Sequence, residues 1–178
     1  MKSLKTPLLA AALLAITAGS TCAQTPPQTD FALNDGKVSF KVPSPWNSVM
    51  EKKEGNPQAI AFFIPDPGAQ GSEDSATATV KTRELADPSA FAATIQEEFE
   101  RARSQTGFEI DPANKDAGVR QYFVTRGKTR YRVRDVARLI GNIAVEVRCQ
   151  RPLLAATPAA WTTQFDADCE RVVASITP

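Results

Sequence analysis

The stretch from Arg120 to Gln150 constrains the fold more than any other part of the sequence, because its two glycine turns fix how three consecutive strands meet. Gly127-Lys128 fits a two-residue hairpin turn with glycine in first place. Pairing Arg126 with Thr129 then sets Val124 opposite Tyr131, Tyr122 opposite Val133 and Arg120 opposite Asp135. The next turn admits two registers. Turning on Gly141-Asn142 alone places Leu139, Ala137 and Asp135 beside Ala144, Glu146 and Arg148, so that one strand's apolar face shares a side with the other's polar face. A three-residue loop, Ile140-Gly141-Asn142, instead faces Leu139 with Ile143, Ala137 with Val145 and Val133 with Cys149. A slip of one residue inverts every side chain, so matching of apolar faces favours the three-residue loop.

Two expectations follow from that register. Asp135 falls on the apolar side, where an unpaired carboxylate is costly, and Arg120 is its natural ion-pair partner. The opposite side carries Arg130, Arg132, Arg134, Arg138 and Arg148, with Glu146 and Gln150 among them. Guanidinium groups clamp carboxylates and phosphates bidentately, so this face is the candidate binding surface. The alternative is a solvated face partly covered by an acidic helix such as the one bearing Glu97, Glu98 and Glu100. Phe123 and Val136 lie on the same side and imply some cover.

Two helices flank this hairpin region. Asp87 caps the first and Pro88 suits its opening turn; Phe91, Ile95, Phe99 and Ala102 form one apolar stripe, while Glu97, Glu98, Arg101 and Arg103 face water. Thr157 and Pro158 open the second in the same way, and its stripe is Trp161, Phe165, Cys169, Val172 and Ile176, with Asp166, Asp168 and Glu170 on the wet side. Earlier, Val38, Phe40 and Val42 alternate with Ser39 and Lys41 as a half-buried strand; Trp46 to Glu51, Ala59 to Ile64 and Ala76 to Thr82 read as further strands. The loop 65–75 holds Asp66, Glu73 and Asp74 without the ligand spacing of an EF-hand and reads as solvated surface. The chain is therefore predicted to be α+β, a central antiparallel sheet flanked by helices at about 88–105 and 157–176.

The compartment is read from the beginning of the sequence. Lys2 and Lys5, the apolar run Leu8 to Ala18 and the small residues through Ala23 have the order of a secretory signal peptide, with cleavage after Ala23. Lipidation at Cys22 is the rival reading, poorly matched by Gly19 and Thr21. Residues 24–30 read as a polar, proline-rich tether and 31–178 as one domain. Loss of the leader turns the formal charge from +1 to −1 and leaves Cys149 and Cys169, an even pair that an oxidising compartment joins as a disulfide. Closing a loop of about 20 residues stabilises by about 3 kcal/mol.

Function is narrowed mainly by exclusion. The 178 residues include no histidine, which removes Ser-His-Asp and Cys-His nucleophile systems and histidine zinc sites. Near-zero charge argues against nucleic acid as a partner. No catalytic, metal-binding or cofactor motif stands out among the carboxylates, serines and glycines.

The stretch Gly36-Lys-Val-Ser-Phe-Lys-Val-Pro-Ser-Pro-Trp46 resembles the opening of PsbP-like and Mog1-like domains, and the order of Ala59–Asp66, Thr77–Thr82 and the Asp87-Pro88 helix start continues the resemblance over most of residues 31–176. The resemblance implies an antiparallel sheet flanked by helices and a role in binding proteins; it carries no catalytic residues, and the cysteine pair and arginine face lie outside it. The expectation is a non-enzymatic binding or accessory protein, exported to the bacterial periplasm, acting on another exported protein or an envelope component. A small envelope hydrolase using a carboxylate pair is the alternative.

Overall fold

The computed structural model describes residues 27–70, 74–114 and 118–178. The leader, Cys22 and Glu73 lie outside the described residues.

The described chain opens with a hairpin of its own. Strands β1 (Gln28–Leu33) and β2 (Val38–Pro43) pair antiparallel as a separate two-stranded ribbon. Their connection runs through Asn34, Asp35 and Gly36 at φ 53°, 55° and 83°, and Asn, Asp and Gly are the residues that tolerate this left-handed backbone. Residues 28–30, expected within the tether, belong instead to β1, and Asp30 stands opposite Lys41; residues 24–26 lie outside the described residues.

The main sheet has seven strands, β3 (Asn47–Lys52), β4 (Gln58–Ile64), β5 (Ala76–Glu84), β6 (Glu109–Ile110), β7 (Val119–Arg126), β8 (Thr129–Ile140) and β9 (Ile143–Pro152). They lie in the order β3-β4-β5-β9-β8-β7-β6, all paired antiparallel. Helices α1 (Phe91–Arg103) and α2 (Ala159–Ala174) complete the α+β fold expected from the sequence.

The β7–β8 register is the expected one, from Arg126 opposite Thr129 to Arg120 opposite Asp135. The β8–β9 register is not. The turn is the two-residue Gly141-Asn142, pairing Ile140 with Ile143, Leu139 with Ala144, Ala137 with Glu146 and Val133 with Gln150. Gly141 takes φ 57° in first place, as Gly127 does at φ 58°, so the two turns share one signature. The three-residue expectation fails because it assumes a single buried face. Both faces are covered, by different helices and at different ends of the strands. Tyr131 and Val133 of β8 join Tyr122, Val124, Ala102, Phe99 and Phe108 in a core beneath α1. Val145, Val147 and Cys149 of β9 point to the opposite face, into the larger core with Phe40, Phe62, Val80, Phe165 and Val172 beneath α2 and the β1–β2 ribbon.

Cys169 of α2 and Cys149 of β9 form a disulfide with Cα atoms 6.4 Å apart, fixing α2 to a central strand. Two local expectations change at the helices. Thr157 does not cap α2; Pro158 precedes the helix, and the Thr157 hydroxyl donates to the Asp66 carboxylate at 2.9 Å. Glu98 does not face water but is buried between α1 and the sheet.

Candidate functional site

Alternation along β8 sends Arg130, Arg132, Arg134 and Arg138 to the α2 face of the sheet, and the observed register adds Arg151, directly opposite Arg132. Arg148 is not among them. It stands opposite Asp135 on the α1 face, because the turn is one residue shorter than expected. Arg151 was missed for the same reason; counting from a two-residue Gly141-Asn142 turn would have placed it.

The cover over this face is α2, not α1. Asp166 and Glu170, one helical turn apart, reach the sheet's arginines while remaining partly solvent-exposed, and Asp168 is buried beside Arg171. Arg130 reaches Glu109 at 2.5 Å with its guanidinium 4.3 Å above the Phe123 ring. Arg132 is held on three sides, by Asp111 at 2.8 Å, Gln121 at 2.6 Å and Asp166 at 3.3 Å. Arg138 is exposed. Most of the arginine face is therefore internally paired.

Arg134 and Arg151 depart from that pattern. Arg134 touches Glu170 at 3.5 Å through Nη2, while its buried Nε and Nη1 meet no hydrogen-bond acceptor among the described residues. Arg151 is 9% exposed, and its Nε lies 3.7 Å from Asp166, beyond hydrogen-bonding distance. Burial lowers the Arg151 guanidinium below its ordinary value; Asp166 works against that shift and Arg132 adds to it. These groups line one cavity of about 80 Å³ between sheet and α2, with Gln121 and Arg132 on its wall and the Cys149–Cys169 bridge and Phe165 against it.

The α1 face carries a second polar cluster. Arg120 stands opposite Asp135 but does not form the expected ion pair. Its guanidinium donates to the Ile95 carbonyl at 2.5 Å and lies 4.6 Å above the Phe99 ring. Asp135 instead accepts Arg148 Nε at 2.8 Å and Nη2 at 3.0 Å, with the Tyr122 hydroxyl at 2.8 Å. The shorter turn brings Arg148 opposite Asp135, and the two-pronged contact exceeds what one side-on lysine-like contact would give. Arg148 also holds Glu146 at 2.9 Å, and Lys81 bridges Glu146 and Glu98 at 3.2 and 3.0 Å. Burial and then the Asp135 charge push the Tyr122 phenol far above its ordinary value. Burial would lower the Arg148 guanidinium, but Asp135 holds it raised. For Glu98, burial would raise the carboxyl, yet Lys81, Arg101 and Arg83 bring it below the ordinary carboxylate value.

A cavity of about 200 Å³ adjoins this cluster, lined by Phe91, Ile95, Phe99, Glu98, Arg120, Asp135 and Glu146. A carboxylate acting as general acid needs its pKa pushed up, as burial without a cation would do. Here each buried carboxylate is gripped by arginine or lysine, and Glu98 shifts the opposite way. The cluster ties α1 to the sheet.

The carboxylates of the 65–75 loop are also engaged. Asp66 is buried and accepts from Gly68 N at 2.8 Å as well as from Thr157. Asp74 accepts from the Thr129 hydroxyl at 2.7 Å and the Tyr131 hydroxyl at 2.9 Å. Both fasten the loop to the body of the domain.

No family model and no curated protein matches the chain. Solved structures do. A crystal structure from Bacteroides thetaiotaomicron is 19% identical with a TM-score of 0.51, over 83% of this chain and 47% of that one, so the chain spans about half the length of that structure and shares its fold. The Ran-binding protein Mog1p of Saccharomyces cerevisiae is 12% identical with a TM-score of 0.49, over 86% of this chain and 96% of that one. LpqN, involved in cell envelope biogenesis of Mycobacterium tuberculosis, is 14% identical with a TM-score of 0.46, over 85% of this chain and 86% of that one. Mog1p is thus among the structures this chain is similar to, as the Gly36–Trp46 stretch implied.

Proposed function

We propose that the chain is a non-enzymatic binding or accessory protein, exported to the periplasm, which acts on another exported protein or an envelope component through the Arg134–Arg151 cavity beside α2. The observation that carries this reading is the set of buried guanidinium donors on Arg134 and Arg151 that meet no acceptor from the described chain. Folding without a partner for such donors is costly, and a ligand that supplies the acceptors recovers that cost on binding.

Export is supported by the buried Cys149–Cys169 disulfide, a bond that persists in oxidising compartments. None of the described helices is long and apolar enough to cross a membrane. The hydrolase alternative gains nothing from the α1-face cluster, whose carboxylates are clamped by cations. Affinity capture from the native envelope tests the reading: one stoichiometric partner is expected, and clean capture of nothing contradicts it.

A further inference from the structure

The geometry points to a carboxylate-binding site at the Arg134–Arg151 cavity, in which a singly charged carboxylate presented by a larger partner replaces Glu170 on Arg134. The inference rests on the binding reading above and names its ligand chemistry.

Three features select that chemistry. The first is the edge that Arg134 offers. On the other face of the same sheet, Arg148 holds Asp135 through Nε and Nη2 together. The corresponding edge of Arg134 is buried at Nε with no acceptor among the described residues, and at Nη2 it faces Glu170 at 3.5 Å. The Glu170 side chain is 67% exposed, so it can leave at little cost, and an incoming carboxylate then gains the whole edge. Arg151, 9% exposed and with no hydrogen bond at its buried Nε, adds a second incompletely partnered cation to the wall of the same cavity.

The second feature is charge. Arg132 pairs with Asp111 and Asp166, Arg151 is attracted by Asp166 and Asp66, and Arg134 has Glu170. With Glu170 displaced Arg134 loses its paired acid; a monoanion restores that one charge, whereas the second charge of a dianion meets the remaining acids. Asp166 and Asp111 stay in place through Arg132 and repel the surplus charge.

The third is size. At about 80 Å³ the cavity is far below the roughly 300–1,000 Å³ of a small-molecule pocket. It admits the carboxylate and leaves the rest of the ligand outside. The group can come from a chain terminus or from an acidic side chain.

The test is an NMR titration of the full mature chain, following the Nε–H resonances of Arg134 and Arg151 at constant ionic strength. Sodium acetate is the first probe and sodium phosphate, at a pH well above its second ionisation, the dianionic control. Saturable shifts with acetate, weaker effects with phosphate, and about two- to fivefold tighter acetate binding in Glu170→Gln are expected, the last from removing one exposed competing ion pair. Arg134→Gln abolishes the Arg151 response. Should Arg134→Gln fail to fold, the Glu170→Gln comparison still decides, since that side chain is on the surface. N-acetyl-alanine and a glutamate capped at both ends then distinguish the two sources, and saturable binding of either supports the site. Shifts that do not saturate, phosphate binding as tight as acetate, or unchanged affinity in Glu170→Gln overturn it. Failure here alongside capture of a stoichiometric partner removes the carboxylate site and leaves the binding reading; acetate binding with no partner captured does the reverse.

Discussion

Arg151 Nε and Asp166 Oδ1 stand 3.7 Å apart, close enough for their charges to attract and too far apart for a hydrogen bond. Arg151 is thus a buried cation held by electrostatics alone on that atom, with Arg132 repelling it from the neighbouring position. A buried ion with incomplete partners adds little to stability, and an apolar residue of similar volume does as well or better. Arg151→Met is expected to leave the fold intact and to hold or raise stability by up to about 1 kcal/mol in urea unfolding. A loss of several kcal/mol would make Arg151 a structural residue instead.

Asp166→Asn acts in the other direction. It removes the acid that Arg132 and Arg151 share, leaving two neighbouring guanidinium groups less compensated. The expected cost is about 1–2 kcal/mol in the same measurement.

On the α1 face, Asp135 is the centre of a buried network with Arg148 and Tyr122. Tyr122→Phe removes one hydrogen bond and is expected to cost about 1 kcal/mol. Asp135→Asn leaves Arg148 without its main counter-charge and is expected to cost about 3 kcal/mol. Arg120 is the cross-strand neighbour of Asp135 but bonds the Ile95 carbonyl, so a double-variant cycle of Arg120→Ala with Asp135→Asn is expected to give a coupling of no more than about 1 kcal/mol, short of that of a buried ion pair; chemical unfolding of the two single variants and the double variant checks this.

Glu98 gives a pH dependence. Its carboxyl is lowered from the ordinary value of 4.5 by Lys81, Arg101 and Arg83 against the opposing effect of burial. A lowered acid contributes stability that is fully present above its unfolded pKa and is lost as pH falls through its folded pKa. Stability is therefore expected to be level near neutrality and to fall below about pH 4.5, with a shallower fall in Glu98→Gln. Thermal midpoints across that range check the slope; identical slopes would contradict the assignment.

Breaking the Cys149–Cys169 bridge, by reduction or by Cys169→Ser with Cys149→Ser, is expected to cost about 3 kcal/mol of stability. The bridge is buried against the arginine cavity, so its loss is also expected to loosen α2 over Arg134, read as faster amide exchange along α2.

These residues also mark how far the sequence could be read. The Gly127 turn yields the β7–β8 register, the apolar stripe of α2 places Cys169 toward the sheet, and the pair with Cys149 follows. The Gly141 turn resists the same reasoning. An alternating pattern identifies the buried face only when one face is buried, whereas Tyr131 and Val145 each serve a different core on opposite sides of one sheet. From that single slip follow the misplacing of Arg148, the expected Arg120–Asp135 pair and the omission of Arg151. Burial of Glu98 was hidden for a related reason, since its cationic partners Lys81 and Arg83 come from β5 and only the fold brings them beneath α1.

The central claim is that the Arg134–Arg151 cavity binds a partner. Its most direct test is quantitative capture from the native envelope by the wild-type chain and by Arg134→Gln, each with an unchanged fold. The account predicts one stoichiometric partner on the wild type, released by acetate and lost from Arg134→Gln. The same partner bound equally by both chains and indifferent to acetate would contradict it.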